Sequence, residues 1–117
     1  MRVAVIDDLY LGREEIRKCL CRYLNESYAG ETPVIDDFSS GEDFLSCFMP
    51  EVWDMIFIDQ YMPGLSGIET AQKIREKDKL AALVFVTTSQ SHAVESYGVR
   101  ACGYLVKPYE YEAFKKT

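Results

Sequence analysis

The sequence is poor in long apolar runs, in basic residues and in histidine, and each shortage excludes something. Its longest apolar run is Leu80–Val86, seven residues, against the roughly 20 that a membrane-crossing helix needs. Between Met1-Arg2 and Asp7-Asp8 stand only four apolar residues, too few for a signal-peptide core. Lys and Arg number 13 against 19 Asp and Glu, a net charge of −6. Phosphate contacts need clustered Lys and Arg, so this segment is not expected to bind nucleic acid through its own surface. The four cysteines, Cys19, Cys21, Cys47 and Cys102, show no metal or redox spacing. Cys19-x-Cys21 is tighter than CxxC, and positions i and i+2 of a helix point apart. They read as buried or half-buried free thiols of a cytoplasmic protein. The single histidine, His92, reads as solvated near a helix start. A phosphorelay role would require a helical bundle around it. No repeat, low-complexity tract or linker divides the 117 residues, so one domain is expected.

What the chain does have is alternation. Val3–Ile6, Met55–Ile58, Ala82–Val86 and Gly103–Val106 are short apolar runs of the kind buried on both faces of a sheet. Pro33–Phe38 is a weaker fifth strand. Amphipathic stretches separate them. Leu9 to Ser27 places Ile16, Cys19, Leu20, Tyr23 and Leu24 at helical spacing, with Glu14 four residues before Lys18. Ser39-Ser40-Gly41-Glu42 fits a capping box ahead of Phe44, Leu45 and Phe48, and Pro50 stops that helix. Ser66 to Glu69 fits a second box ahead of Ile68, Ala71 and Ile74. Further helices are expected over Ser91–Tyr97 and from Glu110 to Lys116. Trp53 and Met55 read as packing residues, and Asp36-Asp37 as a solvated loop. Five β-α repeats predict a doubly wound parallel sheet covered by helices on both faces.

Sites in such sheets lie outside the carboxyl ends of the strands. Those ends carry Asp7 and Asp8, Asp59, Thr87 and Lys107. Taken singly, each has an ordinary reading: a solvated acidic pair, a turn Asp before Pro63-Gly64, a β-branched strand residue, a surface Lys. Taken together they are complementary. Three converging carboxylates repel, and a hard divalent cation such as Mg²⁺ relieves that. Thr87 adds a hydroxyl donor, and Lys107 a compact positive charge suited to phosphate. A carboxylate nucleophile among these groups fits phosphoryl transfer onto Asp.

These motifs resemble the receiver domain of two-component response regulators. Val5-Ile6-Asp7-Asp8, Ile58-Asp59-Gln60-Tyr61-Met62-Pro63-Gly64, Phe85-Val86-Thr87-Thr88 and Gly103-Tyr104-Leu105-Val106-Lys107-Pro108 carry the resemblance, which runs from Val3 to Phe114. It implies a flavodoxin-like (CheY-like) (βα)5 fold with strand order 2-1-3-4-5. It implies that Asp59 accepts a phosphoryl group from a sensor histidine kinase. It implies Mg²⁺ (or Mn²⁺) on Asp8, Asp59 and the Tyr61 backbone carbonyl, with Asp7 acting through water. Thr87 and Lys107 would engage phosphoryl oxygens, Tyr104 would be the aromatic whose rotamer follows Thr87, and Lys107-Pro108 would be a cis peptide. Tyr61 and Ser89 match positions that tune phosphoryl lifetime, although Ser89 also fits a helix N-cap. A bulky Tyr61 shields the phosphoryl group from water, so Tyr61→Asn is expected to shorten the phosphorylated half-life; a lengthened half-life would refute the shielding.

The resemblance makes the chain a signalling switch, with no enzymatic action beyond its own phosphorylation and dephosphorylation. Similarity over Ala93–Tyr97 and Gly103–Tyr109 points to receivers that precede LytTR-type DNA-binding domains. Residues 1–117 are therefore expected to be the N-terminal receiver of a longer transcription regulator, touching DNA only through that effector. Tyr97, Tyr104, Tyr109 and Tyr111 suggest either ordinary packing or an output face, and a homodimer could form through the last strand and its flanking helices. Three other readings compete. A pseudo-receiver would not bind Mg²⁺. A haloacid-dehalogenase-like phosphatase needs Asp-x-Asp, and Asp59-Gln60-Tyr61 lacks the second carboxylate. A flavodoxin-like redox protein would need donors, not Asp7-Asp8, at the flavin phosphate.

Overall fold

In the computed structural model, which describes residues 1–27, 32–88 and 98–116, the apolar runs become five parallel strands in the order β2-β1-β3-β4-β5. These are β1 (Arg2–Ile6), β2 (Val34–Phe38), β3 (Met55–Asp59), β4 (Ala82–Thr87) and β5 (Gly103–Val106). The helices are α1 (Tyr10–Ser27), α2 (Gly41–Cys47), α3 (Gly67–Lys77) and α4 (Tyr111–Lys116). The expected flavodoxin-like architecture and strand order are thus observed. The helix expected over 91–97, with Ser89, His92 and Tyr97, lies outside the described residues.

The continuous apolar runs are explained by two cores, one on each face of the sheet. Alternate strand residues Val3, Val5, Phe57, Val84, Val86 and Leu105 pack with Ile16, Leu20, Leu24 of α1 and Phe114 of α4. Their neighbours Ala4, Ile6, Ile56, Ile58, Leu83 and Phe85 pack with Phe44 of α2 and Ile68, Ala71 and Ile74 of α3. Each fully buried Ile, Leu, Val or Phe contributes about 1.5–3 kcal/mol relative to exposure. Central strands therefore cannot alternate apolar with polar, as a half-exposed sheet does. Trp53 is buried, as read from the sequence, with its ring 4.9 Å from that of Phe44.

Several local expectations change. The N-cap of α2 is Ser40, whose Oγ accepts from Asp43 N–H at 3.0 Å. Ser39 Oγ instead donates to the Asp43 carboxylate, so no reciprocal box forms there. The second box does form: Ser66 Oγ accepts from Glu69 N–H, and Glu69 Oε1 accepts from Ser66 N–H. Glu14 pairs with Arg17, not Lys18, because Arg17 also reaches across to Asp37 at 2.8 Å. Asp36 and Asp37 lie within β2, inside the strand expected over Pro33–Phe38, and not in a solvated loop. Asp36 Oδ2 accepts from both Arg2 Nε and Trp53 Nε1 at 2.8 Å. Cys19 is half-buried, but Cys21, Cys47 and Cys102 are exposed; small thiols at helix and loop surfaces gain little from the core. The tyrosines do not form one face among the described residues. Tyr104 packs beside Phe85 on the α2–α3 side. Tyr109 and Tyr111 pack on the α1 side, where Tyr111 donates to Glu26.

Behind the sheet, two charged side chains fasten the connections. Asp78 is buried, which alone would raise its pKa. The N–H groups of Glu51, Leu80 and Ala81 more than offset this and hold it below the usual carboxylate range. Arg75 is buried and donates to the carbonyls of Val99, Arg100 and Asp78. It ties the start of the 98–102 segment to α3.

Candidate functional site

Parallel strands in register bring their carboxyl ends to one rim. Asp7 follows β1, Asp59 ends β3, Thr87 ends β4 and Lys107 follows β5. Asp59 is level with Val86, the residue before Thr87. Lys107 is held beside Thr87 by its backbone N–H, which donates to the Thr87 carbonyl at 2.6 Å. Carboxylate oxygens of Asp7, Asp8 and Asp59 lie within 4.8 Å of one another. Asp7 and Asp59 are buried, at 4% and 7% exposure, while Asp8 is more open.

The electrostatics follow from that burial. Lys107 Nζ donates to Asp7 Oδ2 at 2.9 Å and stands 3.6 Å from Asp59 Oδ2. Asp59 is pushed from 3.8 up to about 6, first by burial and then by the charge of Asp7. Lys107 and the Tyr61 N–H, which donates to Asp59 Oδ1 at 3.3 Å, pull the other way without prevailing. Burial alone would lower the pKa of Lys107, but its hydrogen bond to Asp7 and the charges of both carboxylates raise it. Two adjacent buried carboxylates with one ammonium leave excess negative charge, which a divalent cation would neutralise.

Thr87 supplies a second unsatisfied group. It is fully buried, and its Oγ1 has no hydrogen-bond partner among the described residues. A buried hydroxyl without a partner costs about 1–3 kcal/mol. Thr87→Val is therefore expected to raise the unfolding free energy by about 1 kcal/mol in the unmodified domain. Urea unfolding would check this; a clear loss of stability would mean the hydroxyl is bonded.

The remaining residues singled out in the sequence stand around this core. The Tyr61 side chain lies at the rim, 47% exposed. Tyr104 is half-buried with its ring centroid 6.0 Å from that of Phe85. The Lys107–Pro108 peptide is cis. Ser89 lies outside the described residues.

Three further contacts were not legible in the sequence. The side chain of Gln60 turns back, and its Oε1 accepts from Ile68 N–H at 2.8 Å. It thereby joins the start of α3 to the backbone that carries Asp59. Arg13 Nη1 donates to the Asp7 carbonyl at 2.7 Å. Glu42 of α2 accepts from Leu65 N–H and bounds the loop where Gly64 has φ +79°. Pro63-Gly64 signalled a turn, but nothing local signalled its clasp by Glu42.

The profile described as the response regulator receiver domain matches residues 3–117. The chain belongs to the response regulator receiver domain family. Among curated proteins, this receiver is 30% identical over 117 residues to sensory transduction protein LytT of Oceanobacillus iheyensis, covering 98% of this chain and 45% of that protein. It is also 30% identical to sensory transduction protein LytR of Staphylococcus haemolyticus, covering 100% of this chain and 43% of that protein. The receiver thus spans less than half the length of these relatives. Among solved structures, the response regulatory domain of MrkE from Klebsiella pneumoniae superposes with TM-score 0.81 at 27% identity, covering 99% of this chain and 90% of that one. Response regulator TrrA from Thermotoga maritima, solved in complex with Mg²⁺-BeF, gives TM-score 0.74 at 29% identity, covering 98% and 93%. The receiver is accordingly a phosphorylation-dependent signalling domain of the two-component type, similar to LytTR-type regulators. Receiver domains bind Mg²⁺ at an acidic pocket, and the Asp7, Asp8 and Asp59 cluster has that character. Among the described residues, no helix is long and apolar enough to cross a membrane.

Proposed function

We propose that Asp59 accepts a phosphoryl group from a sensor histidine kinase in a divalent-cation-dependent reaction. We propose further that residues 1–117 form the N-terminal receiver of a longer, cytoplasmic LytTR-type transcription regulator. The observation that carries the chemistry is the buried Asp59 carboxylate 3.6 Å from the Lys107 ammonium, at the rim where β4 ends in Thr87, whose hydroxyl has no partner among the described residues. An Asp59 carboxylate oxygen attacks phosphorus, the phosphorus–nitrogen bond to the kinase imidazole breaks, and the departing nitrogen keeps the electron pair and is protonated. Asp8, Asp59 and the Tyr61 carbonyl, with Asp7 through water, would hold Mg²⁺ or Mn²⁺, which supplies charge neutralisation for this transfer. Lys107 and Thr87 orient and partner the phosphoryl oxygens, so most of the catalysis is positioning.

The output is a population shift. Added charge at Asp59 favours the conformer in which Thr87 and Lys107 engage it best. Moving such an equilibrium from 1:99 to 99:1 takes about 5.5 kcal/mol of differential interaction. Two charge-assisted hydrogen bonds of about 1.5–3 kcal/mol each can approach that. The test is intact-protein mass after incubation with acetyl phosphate, with and without Mg²⁺. One phosphoryl adduct that requires Mg²⁺ supports the switch. No adduct, together with no Mg²⁺ binding, would return the domain to a pseudo-receiver.

A further inference from the structure

Gly12 stands in the first turn of α1, against the acidic cluster, and helix geometry does not ask for glycine there. Its backbone is ordinary helix, without the positive φ of Gly64, and alanine forms helix more readily. What excludes a side chain is Asp7. The three atoms nearest a methyl group placed on Gly12 all belong to the Asp7 carboxylate. The methyl would overlap Oδ2 and lie 2.8 Å from Cγ and 3.3 Å from Oδ1. A methyl on Gly98, by contrast, meets nothing within 4 Å among the described residues.

Asp7 is not free to step aside. Its Oδ1 accepts from Leu9 N–H at 2.9 Å, its Oδ2 from Lys107 Nζ at 2.9 Å, and its carbonyl from Arg13 Nη1 at 2.7 Å. We infer that Gly12 is a positioning residue for the phosphorylation site: its missing side chain is the space in which the Asp7 carboxylate reaches Lys107 and the other two aspartates. The role toward a cation rests on the reading of Asp7, Asp8 and Asp59 as the divalent site. A side chain at position 12 would drive the Asp7 carboxylate off at least one of its two donors. The oxygens now gathered within 4.8 Å would then spread.

A double-mutant cycle tests this, using wild type, Gly12→Ala, Asp7→Ala and the double variant. In metal-free protein, Gly12→Ala is expected to lower the melting temperature by several degrees. In the Asp7→Ala background, the same change is expected to leave it unchanged or higher, because helix propensity then acts alone. Calorimetric titration with Mg²⁺ is expected to show a Kd raised about tenfold or more by Gly12→Ala. In the Asp7→Ala background, the change in Kd is expected to stay below about twofold. Equal losses of melting temperature in both backgrounds would overturn the inference. So would a Gly12→Ala Kd matching wild type. Should wild type take up no Mg²⁺, the cation reading fails, while the melting cycle still decides whether Gly12 acts through Asp7.

Discussion

Asp59→Asn is expected to abolish the phosphoryl adduct and, with no divalent ion present, to make the domain more stable near neutral pH. The first effect follows from losing the nucleophile: an amide oxygen does not form the acyl phosphate. The second follows from the sign of the pKa shift. Asp59 in the folded domain titrates at about 6 against 3.8 for an ordinary Asp, with burial as the main cause and Asp7 second. A raised carboxyl pKa means that the folded state holds its proton more tightly than the unfolded chain. Stability is therefore lost as pH rises from about 4 to about 6, and the ionised carboxylate is a liability above that window. A two-unit shift corresponds to roughly 2.7 kcal/mol. Solvent reaches this rim, so about 1 kcal/mol is the realistic gain for Asn. Urea unfolding across the pH range should show the variant's stability advantage over wild type opening between about pH 4 and 6, since the other titrating groups are common to both. Parallel profiles would contradict the burial argument, and a phosphoryl adduct on the variant would move the acceptor elsewhere.

Lys107→Met is expected to have the largest effect on stability. Lys107 lies 2.9 Å from Asp7 and 3.6 Å from Asp59, and no other cation is paired with the two buried carboxylates among the described residues. Removing it leaves like charges facing each other in a poorly solvated site. Breaking one side of a buried ion pair costs about 3–5 kcal/mol, and partial solvent access places this one near 3. The folded-state pKa of Lys107 is raised, so its contribution is fully present below the ordinary Lys pKa and is lost only as pH climbs through the raised value. At neutral pH the whole contribution is thus at stake. The penalty should shrink toward pH 5, where Asp59 becomes protonated and the repulsion falls. Phosphoryl uptake from a small donor should slow by about 10²–10³-fold, the usual cost of removing one preorganised partner of transition-state charge. Added Mg²⁺ should restore part of the stability but not the rate. Wild-type stability in Lys107→Met at neutral pH without metal would refute the pairing.

The fold was legible because its determinants are local and redundant. Runs such as Val3–Ile6 and Ala82–Val86 need burial on both faces, and only a helix-covered parallel sheet supplies that for four of them in one chain. Ser66 and Glu69 announce the start of α3 because a capping box closes within one turn. Ser39 misled for the same reason: two adjacent serines satisfy the motif equally, and Ser40 won through where the chain leaves β2. The contacts of Asp36 are not legible locally, because its partners, Arg2 and Trp53, are 34 and 17 residues away. Nothing near Asp36 announces them.

The site divides along the same line. Sequence alone determined which chemical groups stand at the strand ends, because each follows directly from a run of apolar residues that must be a buried strand. It also determined the family, through four motifs in fixed order. Tertiary structure alone decided what those groups do to one another. Asp7 and Lys107 are 100 residues apart and meet at 2.9 Å only because β1, β3, β4 and β5 are packed in register. The raised pKa of Asp59, the full burial of Thr87, the turned-back Gln60 and the filling of the space at Gly12 by the Asp7 carboxylate all arise from that packing. Periodicity and capping are read within a turn or two of chain. Charge, burial and steric contact are set by whatever the fold brings alongside.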